Sequence, residues 1–170
     1  MRTLTEIHAA RVAKLQALAI LDTPPEEAYD ALTRVAVVLC GVPIALVSLI
    51  DGDRLWFKAA CGLDASGTTS ESSFCCEAAD HSAFIEVCDA QADARFSAIG
   101  LVTGSLGIRY YAGAPLIVNG IPVGTLCVLD HKPNRLADEQ KAALQDLAVL
   151  TTSLLQARGE AFRLLAEMKT

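Results

Sequence analysis

The dipeptide Asn119-Gly120 stands between two apolar runs, Tyr110–Val118 and Ile121–Leu129. It restricts the possible folds of this chain more than any other short feature. A two-residue hairpin turn needs positive φ at both central positions, which Asn and Gly tolerate and most residues do not. The spacing predicts an antiparallel pair, with Pro122 and Gly124 marking an edge or a bulge at the start of the second strand. Asp51-Gly52 signals another hairpin, between the continuous apolar run Ile44–Ile50 and a returning segment Leu55–Cys61. A short unbroken apolar run of that kind reads as a central buried strand. Ile85–Asp89 reads as one further strand. Residues 62–73 read as a loop, and Phe74–Ala79 as one or two helical turns.

Helical signals occupy the two chain ends. Thr3 and Glu6 have capping-box spacing for a helix over about residues 4–19. A second helix is predicted from Thr23 as N-cap, with Pro24 at the first helical position and Glu26 completing a capping box. Its apolar stripe is Tyr29, Leu32, Val35, Ala36 and Leu39, and Gly41 closes it. A last helix is predicted over about residues 137–168. Leu147, Leu154, Ala161 and Met168 recur in it every seventh residue, with Leu144 and Leu165 on the flanking seam and Thr151 and Arg158 interrupting. That helix is too long to be consumed by one small sheet.

The element order gives an α+β fold: a five- or six-stranded antiparallel sheet with helices from both chain ends packed on one face. Three segments are expected: an N-terminal helix over 1–22, a core over 23–136, and a linker or dimerisation helix over 137–170. A chain of 170 residues that is 52% hydrophobic buries a sufficient core without disulfides or metals. Aromatics make up only 5%, so Ala, Leu, Val and Ile must fill it.

Charge and motif content exclude several functions. The net charge is −6 and the basic residues are scattered singly, which argues against nucleic acid and against an anionic membrane surface. No apolar run approaches the roughly 20 residues that span a bilayer. The N-terminus lacks the apolar region of a signal peptide, so a cytoplasmic location is expected. The six cysteines are then thiols. They form no CxxC pair and have no zinc spacing, and Cys75, Cys76, His81 and Cys88 match no structural metal pattern. No nucleophilic triad, phosphate loop or dinucleotide-binding glycine pattern is present, and the chain reads as having no catalytic machinery of its own.

Three groups stand out as binding candidates. Phe74, Cys75 and Cys76 begin a helical turn, where the helix terminus favours a thiolate; the alternative is that both thiols pack as small apolar groups. Asp93, Arg95 and Phe96 lie on the long connection 90–108, where a guanidinium and a ring suit an anionic or purine ligand. Equally, an Asp93–Arg95 pair fixes the loop while Phe96 plugs the core. Tyr110 and Tyr111 point to opposite faces of their strand, so one of them lines whatever cavity that face carries.

Several stretches in order resemble the GAF domains of bacterial signalling proteins. They are Ile20-Leu-Asp-Thr-Pro-Pro-Glu-Glu27, Gly41-Val-Pro-Ile-Ala-Leu-Val-Ser-Leu-Ile-Asp51, Arg54-Leu-Trp-Phe-Lys58, Ser73-Phe-Cys75, Val87-Cys-Asp-Ala90, Asp93-Ala-Arg-Phe96, Ile108-Arg-Tyr-Tyr-Ala-Gly-Ala-Pro-Leu116 and Gly124-Thr-Leu-Cys-Val-Leu-Asp130. The resemblance covers roughly residues 18–158. Cys75 matches a cysteine common to this subgroup, and Cys76 departs from its usual alanine. The resemblance implies a GAF/PAS-like sheet with a ligand pocket on the face away from the terminal helices, roofed by residues 62–84 and 90–108. The pocket residues it points to are Phe74, Cys75, Cys76, Asp93, Arg95, Phe96 and Tyr110. It implies a sensor in intracellular signal transduction that binds a small molecule or responds to redox state. It also implies a homodimer through the C-terminal helix and fusion to a histidine kinase, diguanylate cyclase or phosphodiesterase domain. It names no cofactor. The other readings are a free methionine-(R)-sulfoxide reductase, whose motif the chain lacks, and a dimerisation scaffold with a degenerate pocket.

Overall fold

The computed structural model describes residues 2–70 and 73–170. Five helices and six strands follow one another among them: α1 (Leu4–Leu18), α2 (Glu27–Cys40), β1 (Ile44–Asp51), β2 (Arg54–Cys61), β3 (Gly67–Thr69), α3 (Phe74–Asp80), β4 (Ile85–Val87), α4 (Gly100–Thr103), β5 (Tyr110–Val118), β6 (Ile121–Asp130) and α5 (Asp138–Glu167). The strands form one sheet of order β3-β2-β1-β6-β5-β4, every neighbouring pair antiparallel. This is the expected α+β layering. The Asn119-Gly120 hairpin is present, with φ of 51° and 79° at its two turn residues.

Three local expectations need correction. Thr23 does not cap α2; the helix begins at Glu27, with Glu26 as N-cap and no side-chain cap bond. Pro25 is the cause, because a proline pushes the residue before it out of the helical region, and Pro24 therefore cannot be a first helical residue. Thr23 Oγ1 instead donates to Ile20 O and accepts from Lys58 Nζ at 2.8 Å. Residues 67–69, expected as loop, add the short edge strand β3. The connection 90–108 carries the single-turn helix α4.

Both faces of the sheet are buried. On one side α1, α2 and α5 cover Ala45, Val47, Leu49, Trp56, Tyr110, Ala112, Leu126 and Val128. On the other, α3 and the 90–108 connection cover Ile44, Leu46, Ile50, Phe57, Tyr111, Cys127 and Leu129. This two-sided burial explains why β1 and β6 read as continuous apolar runs rather than alternating ones.

Buried charges hold the helical layer. Lys58 on β2 has no side-chain exposure and meets Glu26 at 2.5 Å, while its Nζ also donates to Pro24 O. Arg158 on α5 meets the same Glu26 carboxylate at 3.1 Å and donates to the carbonyls of Leu18 and Ala19 at the end of α1. Gly159 lets α5 approach there, since a Cβ would lie 2.8 Å from Leu18 Cδ2. The seven-residue seam is thus divided. Leu144, Leu147 and Thr151, with Leu155 outside the seam, are buried in the domain, whereas Leu165 and Met168, with Phe162 and Leu164 beside them, are exposed.

Glu86 on β4 ties the opposite edge to the start of α5. It accepts from Tyr110 OH at 2.7 Å and from Leu136 N at 2.9 Å, and pairs with Lys141 at 3.1 Å. Burial alone would raise its pKa, but these donors outweigh it and hold the carboxyl below its ordinary value. A depressed carboxyl stabilises the fold fully above its unfolded pKa and loses that contribution as pH falls through the folded value. Glu86→Gln is therefore expected to lower stability at pH 7 and to flatten the loss below about pH 4.5. Urea unfolding from pH 7 to pH 3 checks this. A variant whose acid limb keeps the wild-type slope would refute the assignment.

Candidate functional site

A largely apolar cavity of about 160 Å³ lies between the sheet and the α3/α4 side. Its floor is Ile44, Leu46, Leu55, Phe57, Tyr111, Cys127 and Leu129, all on the strands. Leu101 and Leu106 from the 90–108 connection form part of the roof, and Phe74 and Cys75 from α3 close one end. Gly67 and Thr68 of β3 and the preceding loop complete the wall. Among the described residues no charged side chain lines it.

The expected site residues separate. Phe74 and Cys75 do line the cavity. Ser73 caps α3, its Oγ accepting from Cys76 N at 3.1 Å, and this cap turns Phe74 and Cys75 inward. Phe74 stacks on Tyr111 with ring centroids 4.8 Å apart and packs against Phe96 at 4.6 Å. Cys76 turns away into a polar groove with His8, Arg11 and Asp80, where its Sγ donates to Ser70 O. Burial raises its pKa. Phe96 is buried behind Phe74 and does not line the cavity.

Asp93 and Arg95 do not reach it either. Arg95 is half exposed, donates to Asp93 from Nε and Nη2 at 3.1 and 2.9 Å, and lies 4.8 Å from the centre of the Phe96 ring. That pair fixes the connection. Tyr110 faces the helical layer and is engaged by Glu86. Tyr111 takes the cavity face instead.

The sulfur of Cys75 meets a polar cluster missing from the expected set. Tyr111 OH donates to it at 3.6 Å, and Cys127 Sγ lies 4.0 Å away. Ser48 and Thr125, paired across β1 and β6, are fully buried on the same side. Their hydroxyls have no hydrogen-bond partner among the described residues. The contact with Cys127 holds the Cys75 thiol below its ordinary pKa against the opposing effect of burial, and the Tyr111 hydroxyl adds to it. The same contact, together with burial, raises the Cys127 thiol. Among the described residues no three His, Cys, Asp or Glu side chains are placed to hold a metal ion.

One backbone irregularity creates this cluster. The β5–β6 register shifts at Leu116/Ile117, so that Leu116 pairs with Gly124 and Tyr111 with Leu129. Without the extra residue, the two-residue turn would pair Tyr111 with Val128 and turn Cys127 to the helical side. Gly124 was readable as a bulge signal; the change of face it causes was not.

Residues 24–153 match the GAF domain family, and the chain belongs to it, a family typical of signalling sensors. The chain is 38% identical over 143 residues to a cyclic di-GMP phosphodiesterase of Pseudomonas aeruginosa, and the match covers 83% of this chain but 24% of that protein. Solved structures of the same fold include the blue-light absorbing PixJ GAF domain of Thermosynechococcus elongatus (TM-score 0.67, 13% identity, 93% of this chain and 96% of that one). A domain of a putative two-component sensor histidine kinase from Sinorhizobium meliloti aligns with TM-score 0.62 at 21% identity, over 81% and 96% of the two chains. The free methionine-R-sulfoxide reductase of Neisseria meningitidis aligns with TM-score 0.62 at 19% identity, over 95% and 89%. The expectation of a chain with no enzymatic role is overturned by the first relative, which is named as a phosphodiesterase. No helix of the described residues is long and apolar enough to cross a membrane.

Gly124 also lies close against β1, and a Cβ there would sit 1.9 Å from Ser48 O. Gly124→Ala is expected to cost about 3 kcal/mol by forcing backbone apart, read from urea unfolding at pH 7. A loss below about 1 kcal/mol would mean that the bulge is not as described.

Proposed function

We propose that this domain is the sensory part of a protein that controls cyclic di-GMP turnover, and that it responds to a small apolar molecule held in the cavity between the sheet and α3/α4. The named activity of the Pseudomonas relative supports the first half. The observation that carries the second is the cavity itself, with its apolar lining and no charged side chain among the described residues. A dry apolar cavity of about 150 Å³ accepts benzene, whereas pockets for drug-sized ligands run from roughly 300 Å³ upward. At about 160 Å³ the space suits a single or fused aromatic ring and excludes a cyclic dinucleotide or a tetrapyrrole. An anionic ligand would be buried without a counter-charge, at a cost of several kcal/mol.

A second copy of the chain pairs with the first along the exposed end of α5, through Phe162, Leu165 and Met168. These side chains leave substantial apolar area in water on a helix that its own domain covers only as far as Arg158. Pairing there would give the sensor a continuous helical output.

Titration calorimetry with benzene and indole tests the cavity. Binding is expected, and Leu101→Trp, which fills the cavity from α4, should weaken it by about tenfold or more, near 1.4 kcal/mol. Absence of heat with both probes, or equal binding by the variant, would sink the proposal. Removal of the residues after Arg158 should convert a dimer to a monomer in sedimentation equilibrium. An unchanged mass would refute the pairing.

A further inference from the structure

We propose that Cys75 and Cys127 form a redox-active dithiol at the closed end of the cavity, oxidised to a disulfide by a small organic hydroperoxide that the cavity admits. This rests on the cavity as a binding space and adds a chemical reaction to it.

Four observations on separate elements converge. The two sulfurs lie 4.0 Å apart, one on the short helix α3 and the other in the centre of the sheet. Both residues line the cavity, so a bound molecule reaches them without opening the fold. Tyr111 OH donates to Cys75 Sγ. Gly113 makes room for that phenol, since a Cβ would sit 2.1 Å from the Tyr111 hydroxyl. Finally, the Ser48 and Thr125 hydroxyls are wholly buried with no hydrogen-bond partner among the described residues. Buried hydroxyls without partners are uncommon and call for a reason. They place polar groups on the same side of the sheet as the two sulfurs, where purely apolar packing would need none.

The chemistry balances with the hydroperoxide as the sole oxidant. Cys75 gives up its thiol proton, its Sγ attacks the terminal oxygen of ROOH, the O–O bond breaks, and the alkoxide takes up that proton and leaves as ROH. Cys75 is then a sulfenic acid. Cys127 Sγ attacks that sulfur, the S–O bond breaks, and water leaves with the Cys127 proton. Two electrons pass from the dithiol to the peroxide, and the products are one disulfide, one alcohol and one water. Forming the bond requires the sulfurs to close from 4.0 Å to about 2.05 Å. Cys127 is held on both sides by β1 and β5, whereas α3 spans only seven residues, so α3 makes the movement. Phe74, stacked on Tyr111 and Phe96, moves with it, and the cavity changes shape.

The test is oxidation of the intact chain by cumene hydroperoxide, followed by peptide mapping. The expected product is a single Cys75–Cys127 linkage, with free thiols falling from six to four; dithiothreitol should restore all six. Cys127→Ala should stop at a Cys75 sulfenic acid that dimedone captures. Tyr111→Phe should slow its formation by about tenfold, the effect of one hydrogen bond to a charged sulfur. Leu101→Trp should slow cumene hydroperoxide more than hydrogen peroxide. A linkage between other cysteines, dimedone capture at another cysteine, or a Cys75 that reacts no faster than buried Cys40 would overturn the proposal. Indole binding separates the two readings. If it persists while Cys75 stays inert, the cavity proposal stands and the dithiol fails; if both fail, the cavity is not a binding space.

Discussion

The approach of Gly124 to the Ser48 carbonyl, too tight for any Cβ, organises both sides of the molecule. Only a residue without Cβ lets β6 bulge there and still pair with β1 on its other flank. The bulge sets the register of the remaining β6 residues against β5, and register decides which side chains enter which layer. Leu126 and Val128 are directed under the terminal helices, and Thr125, Cys127 and Leu129 into the cavity layer. Two layers of different chemistry follow from one glycine: a large apolar core on the helical side and a smaller core with a hole on the other.

The helical side tolerates buried charge because every charge there is shared. Glu26 is met by both Lys58 and Arg158, and Arg158 also satisfies carbonyls left open where α1 ends. An end-of-helix carbonyl buried without a donor is costly, and here the donor comes from a helix about 140 residues away in sequence. The arrangement joins α1, the start of α2, β2 and α5 at one point. Removing one member would strand the others, which is why such networks destabilise when broken even where their net worth is small.

Much of this was legible in the sequence, and the failures have physical causes. Hairpins announced by Asn119-Gly120 and Asp51-Gly52 formed, since turn chemistry acts over a few residues and needs no tertiary context. Gly41 closed α2 in the left-handed conformation, as its position predicts. The start of α2 was misjudged because Pro25 overrides a favourable cap at Thr23. β3 was missed because three residues, Gly67-Thr68-Thr69, carry too little pattern and exist as a strand only by pairing with β2. Tyr110 was preferred to Tyr111 because alternation fixes relative faces but not which face is which. Ser48, Thr125 and Cys127 lie far apart in sequence from Cys75, and nothing local to them announces that the bulge brings them to one sulfur. For Arg95 the sequence left a ligand-binding group and a loop-fixing partner of Asp93 equally open, and the structure forms the second.

The two tyrosines give the cavity a physical route to the terminal helix. They are adjacent on β5 and point to opposite faces, so displacing one ring displaces the backbone that carries the other. Tyr111 touches Phe74 and Cys75 on the cavity side. Tyr110 donates to Glu86, and the same carboxylate holds Leu136 N and Lys141 at the root of α5. A molecule in the cavity, or a bond formed at its closed end, influences α5 only if it favours one position of β5 over another, because coupling is a difference of affinity between two states. The contacts on this route suit that role. They are a stacked ring pair and a carboxylate with three donors, short-range interactions that change steeply over a few tenths of an ångström. The far edge of the sheet, fixed by Lys58 and Arg158, has no such pair to move.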